Sequence, residues 1–370
     1  MKAAAKPLVY LVLLTGAALF VLPFAWMVLT ALKPVDQALG QPHAWLPLRF
    51  EAPLGGRRVE VRTGDRVVEP SVVALQAFSA RPVVLPARTV WDGAWHPATG
   101  APLPIKVLRE IPASPAAPWR EILSVSGGES DVVPESAIDS HVSFRWENFP
   151  RAVASMRHFW RYLANTLIVC VLNVIGTVLS SAVVAYGFAR IEWRGRDRLF
   201  ALLLATMMIP FPVVMVPLYG LYRHLGMVGT LQPLWVGSFF SSAFSVFLLR
   251  QFFRTIPQEL TEAARIDGCG EFRIFWQVVL PLCKPALVVV GLFTFLGAWN
   301  DFLGPLIYLT DEHDFTLALG LEAMKTSQSG ASEWPYLMAA STLVILPVIT
   351  LFFLAQKSFI EGIALTGTKA

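Results

Sequence analysis

The sequence predicts an all-α polytopic membrane protein of six transmembrane helices, with a small β-rich domain inserted between helices 1 and 2. Three observations lead there. The 370 residues are 55% hydrophobic and only 15% charged, a balance suited to lipid and foreign to a soluble globule. Apolar stretches recur at lengths that meet the roughly 20 residues a helix needs to cross about 30 Å of hydrocarbon. Residues 34–145, rich in Pro and Arg, contain no such run.

The elements follow in chain order. Leu8–Leu32 is the first span, within an N-terminal segment 1–33. It lacks a clear small-x-small cleavage site and is long for a signal-peptide core, so it is expected to stay as an anchor. Residues 34–145 form the insert. Alternation at Arg58-Val59-Glu60-Val61-Arg62, then Thr63-Gly64-Asp65 and Val67-Val68, has the pattern of a hairpin with one buried face. Arg81–Pro86, Thr89–Trp95 and Ile105–Ile111 are further strand candidates between Pro and Gly punctuation. From Phe144 to Arg161 an amphipathic helix is expected at the outer interface, anchored by Trp146, Phe149, Phe159 and Trp160. The remaining core, 146–370, holds five spans: Leu163–Phe188, Leu199–Leu221, Leu234–Leu249, Pro285–Leu309 and Tyr336–Ile360. Leu234–Leu249, the fourth span of the six, is short and carries Gly237, Ser238, Ser241, Ser242 and Ser245, small and hydroxyl residues that let helices approach closely.

Basic residues set the orientation. With the N-terminus inside, Lys2, Lys6, Arg190, Arg194, Arg196, Arg198, Arg250, Arg254, Arg265, Arg273, Lys284, Lys357 and Lys369 fall on the cytoplasmic side. The two short outer loops then hold Arg223 and Lys325 against Asp311, Glu312, Asp314, Glu322 and Glu333. Both termini are thus expected in the cytoplasm and the insert outside, since long domains translocate largely regardless of charge. The pI of about 9.0 is a topology signal that needs no nucleic acid to explain it. Cys170, Cys269 and Cys283 have no metal-ligand spacing and read as small apolar packing residues.

The segment of about 254–284 separates two apolar stretches and carries its own local logic. Pro257 suits a first helical position, Gln258–Ile266 are mostly strong helix formers, and Gly268 sits where a helix C-cap needs positive φ. A second helix is expected from Glu271 to Leu280, stopping at Pro281. Ala263 and Ala264 would offer a nearly bare backbone to a partner, flanked by Glu262 and Arg265, with Asp267 beside the turn. The motif as a whole reads Glu262-Ala-Ala, three residues, Gly268, nine residues, then Val278-x-Leu280-Pro281. It resembles the cytoplasmic EAA loop of the membrane subunits of ABC importers. The resemblance implies that Glu262, Ala263, Ala264, Arg265, Asp267, Gly268 and Pro281 couple this chain to an ATPase. No GxxxxGK[ST] occurs anywhere, so the chain cannot cradle nucleotide phosphates. It is expected to be no enzyme and to hold no cofactor, ATP and Mg belonging to partner subunits.

The C-terminal half narrows the resemblance. Gly297-Ala-Trp299-Asn300-Asp301-Phe302-Leu-Gly304-Pro305, Thr316-Leu-Ala-Leu-Gly320, Gln356-Lys357-Ser-Phe359 and Thr366-Gly367-Thr-Lys369 are similar to the MalG-like permeases of carbohydrate importers. The insert is the main departure, typical members having a much shorter loop there. That family implies a homologous MalF-like permease subunit, two ATP-binding cassette subunits, an extracytoplasmic sugar-binding protein and residence in the bacterial cytoplasmic (inner) membrane. Its cargo is usually a disaccharide or oligosaccharide; glycerol phosphate is the alternative, and a non-transporting scaffold or sensor is a third possibility that a complete EAA loop disfavours. Trp299, Asn300 and Asp301, about two-thirds along the fifth span, form the candidate translocation path, because a carboxylate within a span usually faces a bundle interior or water. The alternative role for Asn300 and Asp301 is hydrogen bonding to backbone at a subunit interface.

Overall fold

The computed structural model describes residues 5–40, 43–54, 56–67, 71–76, 82–86, 90–91, 94–95, 103–111, 119–124, 130–327 and 334–367. They divide into two compact units, Met1–Ala152 with Gln328–Thr342, and Val153–Ser327 with Leu343–Ala370.

In the first unit, α1 (Ala5–Ala31) is apolar all round, and no part of its apolar window is buried in protein. A helix of that kind is stable only with hydrocarbon around it. A short α2 (Val35–Gly40) follows. Ten strands come next: β1 (Leu48–Leu54), β2 (Arg57–Val67), β3 (Ser71–Gln76), β4 (Pro82–Pro86), β5 (Val90–Trp91), β6 (Ala94–Trp95), β7 (Leu103–Ile111), β8 (Trp119–Ser124), β9 (Ser130–Pro134) and β10 (Asp139–Val142). They form two antiparallel sheets, ordered β10-β1-β2-β8-β9 and β4-β3-β7-β6-β5. Ala52, Leu54, Val61 and Val133 make a small core in the first sheet.

β1 pairs with β10 from Leu48↔Val142 to Glu51↔Asp139, so the sheet-bearing stretch closes on itself where it begins and ends. Glu51 and Glu60 face each other across β1 and β2, an arrangement that repels unless cations intervene. Arg49 supplies one, 3.3 Å from each carboxylate, and Arg145 pairs with Glu60 as well. At the base, Asn148 Nδ2 donates to the carbonyls of Ala31 (2.7 Å) and Lys33 (2.9 Å), and Arg145 N–H donates to Leu32 (2.9 Å). These bonds satisfy carbonyls that the end of α1 leaves open. Gln37 ties down the approach to β1 by bonding Leu46 O and Leu48 N, each at 2.8 Å.

The expected amphipathic helix over Phe144–Arg161 is instead a short α3 (Asn148–Ser155), a break, and then the start of α4 (Phe159–Arg190). Trp146 and Trp160 are exposed, as interface anchors require, but Phe159 is buried.

The second unit is organised on α4, which runs unbroken for 32 residues through the expected second span. The third span is not one helix: α5 (Arg196–Thr206) and α6 (Phe211–His224) meet at 95°, with Pro210 capping the second. Pro210 has no N–H to continue α5 and restricts Ile209 before it. The fourth span is also corrected. Short 3-10 turns at Gln232–Leu234 and Val236–Phe240 precede α7 (Ala243–Thr255), with Ser241 at φ +70° between them. The small residues explain this: Ser238 Oγ bonds Trp235 O at 2.6 Å, a local contact that competes with regular helix. They also permit close approach to α4. Ser180 Oγ donates to Ser238 O (3.0 Å), and a Cβ on Gly176 would collide with Ser238 Oγ.

The chain continues through α8 (Gln258–Ile266), α9 (Glu271–Ile274), a π-turn (Phe275–Val279), α10 (Leu280–Leu282), α11 (Lys284–Trp299), α12 (Leu303–Tyr308), α13 (Leu317–Ser327) and α14 (Trp334–Gly367). Among the described residues three helices are long and apolar enough to cross a membrane, or five if each bent pair counts as one span. The main core gathers Ala182, Ala185 and Tyr186 of α4 with Val246, Leu249 and Phe253 of α7. Ile256, Ile274, Phe275, Val279, Cys283, Ala286 and Val290 complete it.

Candidate functional site

The Glu262–Pro281 segment takes the form of a thinly held helix, a tight glycine turn and a rooted helix. Pro257 is the N-cap of α8, so the helix begins one residue later than expected, with Gln258 as its first helical residue. Glu259 in the first turn and Arg265 in the last complement the helix dipole. Asp267 is the C-cap, and Gly268 follows at φ +82°. The N–H of Cys269 bonds Ala264 O (2.9 Å) and that of Gly268 bonds Arg265 O (3.0 Å). This is the Schellman pattern, which needs a residue free to adopt the left-handed region.

Thr261 is the single buried residue of α8. The two alanines part company: Ala263 is exposed, while Ala264 is half-buried against the core. Glu262, Arg265, Asp267 and Gly268 are exposed. So is Ile266, at 86%, a large apolar side chain on a polar knob that sequence reasoning passed over. Phe272 and Trp276 are likewise exposed, with rings stacked 6.4 Å apart. Their i, i+4 spacing was the available signal.

Arg265 makes its ion pair with Glu271, Nε donating to Oε1 at 2.8 Å, and not with Glu262 one turn back. The other oxygen of Glu271 accepts from the Tyr186 hydroxyl at 2.6 Å. The Arg265 hydrogen bond, and then the one from Tyr186, hold the Glu271 carboxyl below the ordinary carboxylate range. Beneath α8 lies a polar cavity of about 370 Å³, walled by Arg190, Glu192, Thr261, Glu262, Arg265 and Glu271. At its rim Arg190 donates to Ile256 O. Nearby Arg250 donates to Phe188 O (3.2 Å) and pairs with Asp197 (3.4 Å), its guanidinium 3.9 Å from the centre of the Phe200 ring.

Pro281 does not stop the second helix. It lies inside α10, and the chain turns only at Cys283, α11 leaving at 80°. Pro281 has no N–H for the carbonyl of Gln277 to accept, and the backbone before it widens into the π-turn.

Trp299, Asn300 and Asp301 fall at a helix break. Trp299 is buried and stacks on Phe295 at 5.4 Å. Asn300 is the exposed C-cap of α11, its amide donating to Leu296 O at 2.8 Å. Asp301 Oδ1 accepts from Gly304 N–H at 3.0 Å and so opens α12. Both polar side chains serve local backbone, while the indole is buried against Phe295.

Residues 178–364 match the family model of the binding-protein-dependent transport system inner membrane component. The chain is 34% identical over 223 residues to the arabinooligosaccharides transport system permease protein AraQ of Halalkalibacterium halodurans, covering 60% of this chain and 79% of AraQ. It is 34% identical over 227 residues to the diacetylchitobiose uptake system permease protein NgcG of Streptomyces coelicolor (61% and 74%). With the sn-glycerol-3-phosphate transport system permease protein UgpE of Shigella flexneri it shares 33% over 205 residues (55% and 73%). In solved structures it resembles a chain of a bacterial ABC transporter involved in the import of the acidic polysaccharide alginate. The TM-score is 0.52 at 26% identity, over 58% of this chain and 80% of that one.

Proposed function

From the membership of this chain in the binding-protein-dependent transport system inner membrane component family, we propose that it is the permease subunit of an ATP-driven carbohydrate importer. ATP is hydrolysed by separate subunits, and this chain converts their movement into alternating access. The observation that carries the mechanism is the Schellman-capped α8, exposed at Glu262, Ala263, Arg265 and Ile266 and lying inside the matched region. A short rigid helix with small and mixed-charge residues on its outer face suits a cleft on an ATPase, and the exposed Ile266 adds an apolar anchor of the kind that dominates interfaces.

The finer features belong to the same proposal. Six spans are counted as α1, α4, the bent α5–α6 pair, the interrupted Gln232–Thr255 segment, α11 with α12, and α14, with Glu271–Leu282 outside the bilayer beside α8. Charge asymmetry supports cytoplasmic termini and an extracytoplasmic insert that meets the delivering binding protein. A companion permease, two ATPase subunits and a sugar-binding protein complete the assembly. The oligosaccharide systems named for AraQ and NgcG favour a sugar cargo; the similarity to UgpE keeps glycerol phosphate as the second reading.

The test is reconstitution of the chain with its companion permease and ATPase subunits in vesicles. Solute-stimulated ATP hydrolysis and uptake of a labelled arabino- or chito-oligosaccharide are expected. Uptake of glycerol phosphate alone would move the cargo to the second reading, and no solute-dependent hydrolysis with any of them would overturn the proposal. Replacing residues 40–140 by a short flexible linker is expected to preserve assembly and weaken binding-protein docking. Normal affinity in that variant would remove the docking role.

A further inference from the structure

We infer that Glu271 is a positioning residue that links the coupling helix α8 to the end of α4, with Arg265 and Tyr186 as its two arms. This rests on α8 being the surface on which the ATPase acts.

A helix that receives a push must be connected to whatever it moves. α8 has nine residues, one of them buried, and stands over the polar cavity; packing by itself gives it little stiffness. Among the described residues, the one side-chain hydrogen bond that leaves α8 runs from Arg265 to Glu271. Glu271 passes the connection on, because its second oxygen holds the Tyr186 hydroxyl. Tyr186 is almost wholly buried, belongs to the main core and has its ring 5.1 Å from that of Phe275. Both bonds are charge-assisted and short, the strongest class of hydrogen bond available to side chains. Glu271 can bind both arms only because the Gly268 turn reverses the chain and brings α9 back beside Arg265.

The far end of α4 is gripped in a similar way. Tyr162 donates to Glu312 (3.1 Å), Asn165 donates to the carbonyls of His313 (3.0 Å) and Phe315 (3.1 Å), and Thr166 accepts from Leu317 N–H (2.8 Å). From Tyr162 to Tyr186 an unbroken helix spans roughly 36 Å. A shift of α8 carried to Tyr186 therefore reaches the 312–317 loop through one stiff rod.

The experiment uses the reconstituted transporter and measures solute imported per ATP hydrolysed in Glu271→Gln, Tyr186→Phe and the double variant. Each single change is expected to lower that ratio roughly tenfold, the scale of one lost hydrogen bond to a charged group. The double variant is expected to be no worse than either single, since both cut one connection. Assembly, measured by co-purification of the ATPase subunits, is expected to persist. An unchanged ratio in Tyr186→Phe, which removes one oxygen from a buried ring, would overturn the inference whatever Glu271→Gln does. So would a double variant whose loss is the product of the two singles. Failure of the wild-type chain to couple hydrolysis to solute would instead fall on the permease reading itself.

Discussion

The two helices on either side of Gly268 are built to opposite rules. α8 buries Thr261 and little else, while Glu271–Leu282 sinks Ile274, Phe275 and Val279 into the core shared by α4, α7 and α11. One is a handle and the other its root. On the coupling role proposed above, the difference teaches that a loop under load need not be stable throughout: a partner would tilt the exposed helix while the rooted one keeps its place. The glycine turn keeps them distinct and the Arg265–Glu271–Tyr186 bridge keeps them joined.

The sharpest way to break the distinction is Gly268→Pro. Proline cannot adopt φ +82° and has no N–H for Arg265 O. Solute-stimulated hydrolysis and transport are expected to fall at least tenfold while the subunit still inserts. Unchanged stimulation in vesicles would remove the turn from the mechanism.

The root answers to a different measurement. Ile274→Ala or Phe275→Ala opens a cavity in the main core, and losses of about 2–5 kcal/mol accompany such truncations. The unfolding midpoint in detergent is expected to drop clearly in both. The handle gives the converse. Glu262→Lys with Ala263→Asp is expected to abolish co-purification of the ATPase subunits and leave that midpoint within the small range of ordinary surface changes, about 0.5 kcal/mol. A double variant that unfolds early would mean α8 contributes to the core after all.

The smallest effect concerns pH. The folded-state Glu271 carboxyl lies below its ordinary value of 4.5, with Arg265 and Tyr186 as the causes; Arg190, Glu192 and Glu262 also face the cavity. A depressed carboxylate contributes stability that is present above the unfolded value and lost as pH falls through the folded one. Stability should therefore be insensitive to this group from pH 5 to 8 and decline below about pH 4.5. Glu271→Gln should lose that part of the acid dependence, as read from detergent unfolding curves at pH 3.5, 4.5 and 7. Identical curves for variant and wild type would show the bridge to be slack.

The family was legible in the sequence because spacing alone carries the loop: the interval from Glu262 to Gly268 to Pro281 reports a helix, a turn and a return. Gly268 was legible for the same local reason, since few residues but glycine fit a left-handed cap. The first, second and sixth apolar stretches were legible as single helices because α1, α4 and α14 are continuous. The third, fourth and fifth were not, because hydropathy measures how much apolar chain there is and not its direction. Pro210 bends one, hydroxyls at Ser238 and Ser242 divert another, and Asn300 with Asp301 divides the last.

What the sequence determined by itself was therefore local: which segments prefer lipid, where a turn needs glycine, and which motif recurs at a set spacing. What only tertiary structure decided was every choice between equivalent neighbours. Ala263 faces out and Ala264 in because helix phase is set by what α8 lies on. Arg265 could have paired with Glu262, its neighbour one turn away, yet it pairs with Glu271. The turn at Gly268 and the packing of Phe275 on Tyr186 bring that carboxylate within 2.8 Å of Arg265 and within 2.6 Å of a hydroxyl 85 residues earlier in the chain. Such a pairing has no sequence signature, because it depends on where two distant segments come to rest.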